Sequence, residues 1–192
     1  MKNLLKRYII KIPNDISIFY CINKKIVIFS GPLGKKSIIL KTKILLFIKK
    51  SFITVTRTFF VSKISNQIKR KLKCIQKTYF TLFKQIILEI SVLLHNKLKF
   101  IGIGFKCFTL NLFKNLLLDL RLGFSHKIYF KIPEKIKIFC VKSTNIIIFG
   151  NSHQVVNQIT SLIRLFKIPE VFKGKGILYQ NEQIILKEGK KT

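Results

Sequence analysis

Lysine and glycine alternate near the end of the chain, in Pro169-Glu170-Val171-Phe172-Lys173-Gly174-Lys175-Gly176-Ile177-Leu178-Tyr179, and lysine returns in Lys187-Glu188-Gly189-Lys190-Lys191. A cationic head beside a residue with no side chain lets a phosphate reach both an ammonium group and a backbone amide. The stretch reads as an anion-docking tail, although composition by itself leaves a disordered, solvated end open. A second pair that invites chemistry is Ser125-His126, inside Gly123-Phe124-Ser125-His126-Lys127. Nucleophilic catalysis needs a third group to orient the base, and none accompanies this pair. Ser125 and His126 are better read as a strand-ending turn.

The other chemical motifs dissolve on inspection. Gly102-x-Gly104 starts like a dinucleotide fingerprint, but Cys107 stands where the third glycine should be and no helix opens there. Gly31-x-x-Gly34-Lys35-Lys36-Ser37 is too short for a phosphate loop and leads into a strand. His95, His126 and His153 have no cysteine or carboxylate at ligand spacing. The seven acids, Asp15, Glu89, Asp119, Glu134, Glu170, Glu182 and Glu188, form no acid/base pair. Cys21, Cys74, Cys107 and Cys140 lie far apart with no Cys-x-x-Cys, so the expectation is reduced thiols, mostly in the core. No enzyme, metal or cofactor is expected.

The elements that must carry the basic stretches begin with a repeat. Lys11-Ile12-Pro13, Ile16, Ile18, Phe19, Ile26, Ile28 and Phe29 recur at Lys131-Ile132-Pro133, Ile136, Ile138, Phe139, Ile146, Ile148 and Phe149, each shifted by 120 positions. So many identities in one register imply a duplicated unit. The order of parts differs, because the first copy runs on into strands and the second into a helix. Alternation predicts strands at 16–20 and 26–29, a turn at Gly31-Pro32-Leu33-Gly34, and a hairpin of Ser37–Ile48 with Phe52–Thr58 across Lys49-Lys50-Ser51.

After Ser65, a candidate N-cap, the period changes to that of a helix. Ile68, Leu72, Ile75, Tyr79, Leu82, Ile86 and Ile90 line its apolar face, while Lys69, Arg70, Lys73, Gln76, Lys77 and Lys84 occupy others. In the second half, Leu116, Leu118, Leu120 and Leu122 oppose Asp119 and Arg121, the mark of a half-buried strand. Further strands are predicted at 128–132, 135–141 and 145–149. A last helix follows from Ser152 with Val155, Ile159, Leu162, Ile163 and Phe166 inward, ended by Lys167-Ile168-Pro169.

Charge narrows the partner. The chain of 192 residues carries 37 Lys+Arg against 7 Asp+Glu, a formal net charge of +30, yet is 48% hydrophobic. Such a surplus repels itself and calls for a polyanion, while the apolar fraction provides a core. Lysine far outnumbers arginine, which favours backbone and shape recognition of folded RNA over base-edge reading of DNA. Membrane insertion fits poorly: the uncharged run 143–163 is interrupted by Gly150, Asn151, Ser152, His153 and Gln154. The short basic opening, Met1 to Arg7, runs straight into strand-like sequence and leaves no room for a removable leader. Alanine is absent, although no folding rule excludes the best helix former. That absence is read as codon bias of an AT-rich genome, and hence as a gene carried by an organelle.

Several of these stretches together resemble the bacterial-type large-subunit ribosomal protein L-six family. They are Gly31-Pro32-Leu33-Gly34, Thr54-Val55-Thr56-Arg57, Leu98 to Phe105 with its Ile101-Gly102-Ile103-Gly104, Gly123-Phe124-Ser125-His126, Pro169 to Ile177, and Lys187 to Lys191. The sequence departs from the family pattern at Val171-Phe172, where Pro-Tyr is usual, and at Gln76-Lys77, where His-Gly is usual. It is also a few residues longer between Lys106 and Asn115, a difference expected at an exposed turn.

The resemblance implies an α+β chain of two tandem similar domains, 1–92 and 93–168, each a small, mainly antiparallel sheet packed with one helix, plus an extended basic tail, 169–192. It implies a structural constituent of an organellar large ribosomal subunit, binding large-subunit rRNA near the sarcin-ricin loop and stalk base beside neighbouring large-subunit proteins. The residues it assigns to rRNA are Lys173, Gly174, Lys175, Gly176, Tyr179, Lys187, Lys190 and Lys191, with Ser125, His126 and Lys127 in addition. The matrix of a mitochondrion is the expected location, with a reduced plastid as alternative. The rival function is a basic protein held peripherally on an anionic membrane, without ribosomes.

Overall fold

In the computed structural model, which describes residues 8–40, 44–49, 51–57, 65–112 and 115–189, the alternating stretches of the first half form six strands: β1 (Ile9–Lys11), β2 (Ser17–Cys21), β3 (Ile26–Gly31), β4 (Gly34–Ile39), β5 (Ile44–Lys49) and β6 (Phe52–Arg57). They make two antiparallel three-stranded sheets, ordered β2-β3-β4 and β1-β6-β5, against which one helix, α1 (Asn66–Ser91), packs. Ile10, Ile16, Val27, Phe29, Ile53, Val55, Phe83 and Ile90 form the core of this unit, Met1–Val92. Ser65 does cap α1, its hydroxyl accepting from Ile68 N–H at 3.5 Å. The Gly31–Gly34 turn docks on the other end of the helix, where Leu33 N–H donates to Ile90 O at 3.1 Å.

The second unit, Leu93–Thr192, adds β7 (Leu94–Ile101), β8 (Lys106–Leu112), β9 (Asn115–Arg121), β10 (Ile128–Lys131), β11 (Ile136–Lys142), β12 (Asn145–Gly150), α2 (His153–Leu165) and β13 (Gly176–Tyr179). Its sheets are ordered β10-β9-β8 and β11-β12-β7-β13, all pairs antiparallel. Leu98, Leu118, Leu120, Leu122, Ile146, Ile148, Ile163 and Ile177 are at or near zero exposure in its core. The fold is thus α+β, with a similar sheet-and-helix unit occurring twice and each unit built from two small sheets.

The duplication is visible bond by bond. Ile16 N–H donates to Pro13 O at 3.2 Å, and Ile136 N–H to Pro133 O at 3.0 Å. Matching the pairings, β1, β2 and β3 correspond to β10, β11 and β12, while β4, β5 and β6 correspond to β7, β8 and β9. The same parts therefore run in the order 1-2-3-4-5-6 in one unit and 4-5-6-1-2-3 in the other, each followed by its helix.

One strand differs between the copies. In β2-β3, Ile18 lies opposite Phe29, but in β11-β12 the equivalent Ile138 lies opposite Ile148, one residue short of Phe149. An irregularity between Cys140 and Lys142 takes up the difference. Because side chains alternate, a slip of one residue exchanges the faces of a strand. Val27 and Phe29 are buried in the first copy, whereas Ile146 and Ile148 are buried in the second.

Several sequence expectations are corrected. Ser37–Ile48 is not one arm of a hairpin: β4 pairs with β3, β5 pairs with β6, and buried Leu40, whose N–H donates to Lys25 O at 2.8 Å, ends the first segment. Alternation reads the same on both sides of a change of sheet. On α1, Ile68 and Leu82 are exposed, while Phe83 and Gln76 are buried. Gln76 is compensated by donating to Val55 O at 2.6 Å. On α2, Leu162 is exposed and the buried face is Val156, Ile159, Thr160 and Ile163, with the Thr160 hydroxyl donating to Val156 O. Leu116 is exposed and Asp119 buried. Cys21 and Cys74 are exposed, so only Cys107 is a core thiol outright, with Cys140 half-buried. The exposed turn expected between Lys106 and Asn115 involves residues 113–114, which lie outside the described residues.

Candidate nucleic-acid interface

The lysine-glycine stretch is not a free end where it begins. Helix α2 passes through Phe166 into Lys167-Ile168-Pro169, and a closed loop follows. Glu170 N–H donates to Lys175 O and Gly174 N–H to Glu170 O, both at 2.9 Å, while Ile177 N–H donates to Lys167 O at 2.9 Å. Ile177 then enters the core and β13 pairs with β7, Leu178 opposite Lys99 and Tyr179 opposite Leu98. The returning segment is tied to the same loop, because Lys187 N–H donates to Val171 O at 3.1 Å. Side chains of Lys173 and Lys187 are exposed, and that of Lys175 is half-buried. Cations are thus displayed from a braced loop at the edge of a sheet, which lowers the ordering cost of meeting a phosphate.

The glycines act differently from the sequence expectation. Gly174 has φ 67 and its amide is engaged inside the loop, so its contribution is a left-handed turn and not a free donor. Gly176 is buried, and a Cβ there would stand 2.5 Å from Pro169 Cα, so it is a site of close backbone approach. Tyr179 is half-buried beneath Arg164, whose guanidinium lies 5.5 Å from the ring centroid. Lys190 and Lys191 lie outside the described residues.

The second cluster sits beside the first. Ser125, His126 and Lys127 are exposed in the connection between β9 and β10. Phe124 stacks on His126, ring centroids 5.5 Å apart and planes 20° apart, and Lys167 Nζ lies 4.6 Å from the Phe124 centroid. Lys167 therefore touches both clusters, through its carbonyl to Ile177 and through its ammonium to Phe124. An exposed stacked ring pair flanked by lysines can take an unpaired base on its face and phosphates at its rim. The sequence reading missed Phe124 and Lys167, although both lie within stretches it quoted.

Arg164 and Glu182 were missed as well. Arg164 Nη2 donates to Glu182 Oε1 at 2.6 Å, and Glu182 Oε2 accepts from Tyr179 N–H at 3.1 Å. Burial works against the Glu182 charge, but the Arg164 hydrogen bond, the Tyr179 amide and the guanidinium charge together hold its carboxyl below the usual range. This latch joins helix α2 to the chain leaving β13. Among the described residues, no three His, Cys, Asp or Glu side chains are grouped to hold a metal ion, and no helix is long and apolar enough to cross a membrane.

Comparison with known proteins gives this surface a lineage. Large ribosomal subunit protein uL6 of Mycoplasmoides gallisepticum is 33% identical over 184 residues, covering 95% of this chain and 93% of the relative. The chain belongs to the uL6 family. Protein uL6 of Chloroherpeton thalassium is 35% identical over 164 residues, 85% of each chain, and protein uL6m of Reclinomonas americana is 35% identical over 185 residues, 95% of each. The profile of the family described as Ribosomal protein L6 matches residues 114–180, which run from β9 through the loop to β13. The uL6 family is structural and not enzymatic, so Ser125 and His126 are read as surface and not as a nucleophile and its base.

Proposed function

We propose that this chain is a structural constituent of the large ribosomal subunit of an organelle and binds large-subunit rRNA through the loop Glu170–Lys175 together with Phe124–Lys127. What carries the reading is a basic loop braced at both ends, with Lys173 and Lys187 exposed beside Lys167 and the stacked Phe124 and His126, on a chain of formal net charge +30. Lys173, Lys175, Lys167, Lys127 and Lys187 supply point charges to phosphates, and Lys190 and Lys191 extend the series. Gly174 and Gly176 let the loop turn and close, and Tyr179 with Arg164 anchors it. The action is architectural: rRNA helices are held near the sarcin-ricin loop and stalk base, where translation factors dock. Neighbouring large-subunit proteins at the stalk base are the remaining partners, with no small-molecule substrate.

Support for an organelle comes from the absence of alanine and from the similarity to uL6m of Reclinomonas americana. Bacterial relatives are about as similar, so the composition carries that part of the proposal. A mitochondrion is the residence proposed, with a reduced plastid as the alternative and synthesis inside the organelle.

Sedimentation of a lysate from the source organism, before and after fractionation of organelles, tests all of this. Co-migration with organellar large subunits that survives detergent and is lost in concentrated salt is expected, because each phosphate contact releases counterions. Release by detergent into the soluble fraction would overturn the proposal in favour of an anionic membrane surface.

A further inference from the structure

Two of the four cysteines, far apart in sequence, meet inside the second unit. Cys107 lies on β8 of one sheet and Cys140 on β11 of the other, with their Sγ atoms 4.0 Å apart. Cys107 has no exposed surface and its thiol also donates to Ser143 O at 3.2 Å, whereas Cys140 is only half-buried. A single buried cysteine behaves as a small apolar side chain and needs no thiol partner. Two facing each other across two sheets, one of them within reach of solvent, have the layout of an attacking and a resolving thiol.

The pair is also chemically unequal. The hydrogen bond it shares with Cys107 lowers the Cys140 thiol, overcoming its burial, with the Thr109 backbone assisting. The same hydrogen bond, and then burial, push the Cys107 thiol up. Reactivity toward electrophiles follows the thiolate, so Cys140 reacts first.

We propose that Cys107 and Cys140 are a redox-active dithiol that closes to an intrachain disulfide when the protein meets a peroxide. In the first step the Cys140 thiolate attacks one oxygen of hydrogen peroxide. The O–O bond breaks, an S–O bond forms, and hydroxide leaves and is protonated to water, giving a sulfenic acid. In the second step the Cys107 sulfur attacks Cys140 Sγ. The S–S bond forms as the S–O bond breaks, and the departing hydroxide takes the Cys107 proton as a second water. The dithiol loses two electrons and the peroxide gains them. The sulfurs must close from 4.0 Å to about 2.05 Å. The product staples β8 to β11 and so joins the two sheets of the unit across a long loop, which restricts the unfolded chain. A small thiol reverses it.

The test uses the full-length chain, reduced, then treated with hydrogen peroxide, unfolded, alkylated and mapped by mass spectrometry. The expected result is a linked Cys107–Cys140 peptide pair and the loss of two of the four alkylatable thiols. A Cys21→Ser/Cys74→Ser double variant should still lose both remaining thiols as a monomer, and its Tm should rise on oxidation and fall back with dithiothreitol. In Cys140→Ser, Cys107 should stay fully alkylatable. The proposal is overturned if both thiols of the double variant are alkylated after peroxide, or if Cys140 runs on to sulfinic acid with Cys107 still free. It is equally overturned if the link forms as fast in the urea-unfolded chain, because the folded geometry would then be irrelevant.

Discussion

A Cβ added at Gly176 would lie 2.5 Å from Pro169 Cα and 2.7 Å from Pro169 N, backbone atoms that cannot swing away, at a φ of 152. Gly176→Ala should therefore destabilise the second unit by about 1–3 kcal/mol, the usual cost of overpacking, read as a lower urea midpoint. At Gly174 the added atom would meet only Leu186 Cδ2 at 3.4 Å, so Gly174→Ala carries the left-handed backbone cost alone, about 1 kcal/mol. From residue types alone, the alternation of Lys and Gly suggests an anion dock. The reason for its glycines was not legible, because an amide's partner and the approach of another backbone segment are properties of the fold. Lys173→Ala and Lys167→Ala address the charge itself. Each should weaken rRNA binding across sequences and flatten the log-log salt dependence by about 0.7–0.9 per lost phosphate contact. Lys24→Ala, at an exposed turn of the first unit, should leave that slope unchanged.

At the level of strands and helices, the sequence disclosed both helices and most strands, because periods of two and of helical spacing survive in a strongly apolar chain, but it did not give β1, β8 or β13 as strands and merged β4 with β5. Phase was less legible. The repeat at a shift of 120 makes Ile28 and Ile148 equivalent in sequence, yet the irregularity after Cys140 turns one outward and the other into the core. Ile148→Ala should cost about 2–5 kcal/mol and Ile28→Ala no more than about 0.5 kcal/mol, measured by chemical denaturation. Equal effects would mean that the two hairpins share one register.

The Arg164–Glu182 latch is likewise a product of assembly, since nothing in the spacing of residues 164 and 182 announces it. Glu182 has a carboxyl lowered in the folded state, so its stabilising contribution is complete above the unfolded carboxylate value, about 4.3, and is lost as pH falls through the folded one. The stability difference between the native chain and Glu182→Gln should be constant near neutral pH and vanish in acid. A difference that grew in acid would reverse the sign and remove the latch.

For the whole molecule, charge governs two responses that salt separates. Only 7 acids face 37 basic residues, and three of those acids are already committed to Lys36–Glu89, Arg121–Asp119 and Arg164–Glu182. The remaining cations mostly repel one another in the free chain, and repulsion among exposed charges weakens as the Debye length shrinks from about 30 Å at 0.01 M to about 3 Å at 1 M salt. Screening also weakens the ion pairs, but Lys36–Glu89 and Arg121–Asp119 each have a buried carboxylate and are screened least, while surface pairs contribute about 0–1 kcal/mol each. The Tm of the free protein should therefore rise with sodium chloride. The proposed binding to large-subunit rRNA would draw on the same cations with opposite effect, since every neutralised phosphate releases counterions and added salt opposes that release. Over one salt series the free chain should gain stability while the complex loses affinity. A Tm that fell with salt would show ion pairs outweighing net repulsion, and the surplus of lysine would then have to be explained by folding instead of by a polyanionic partner.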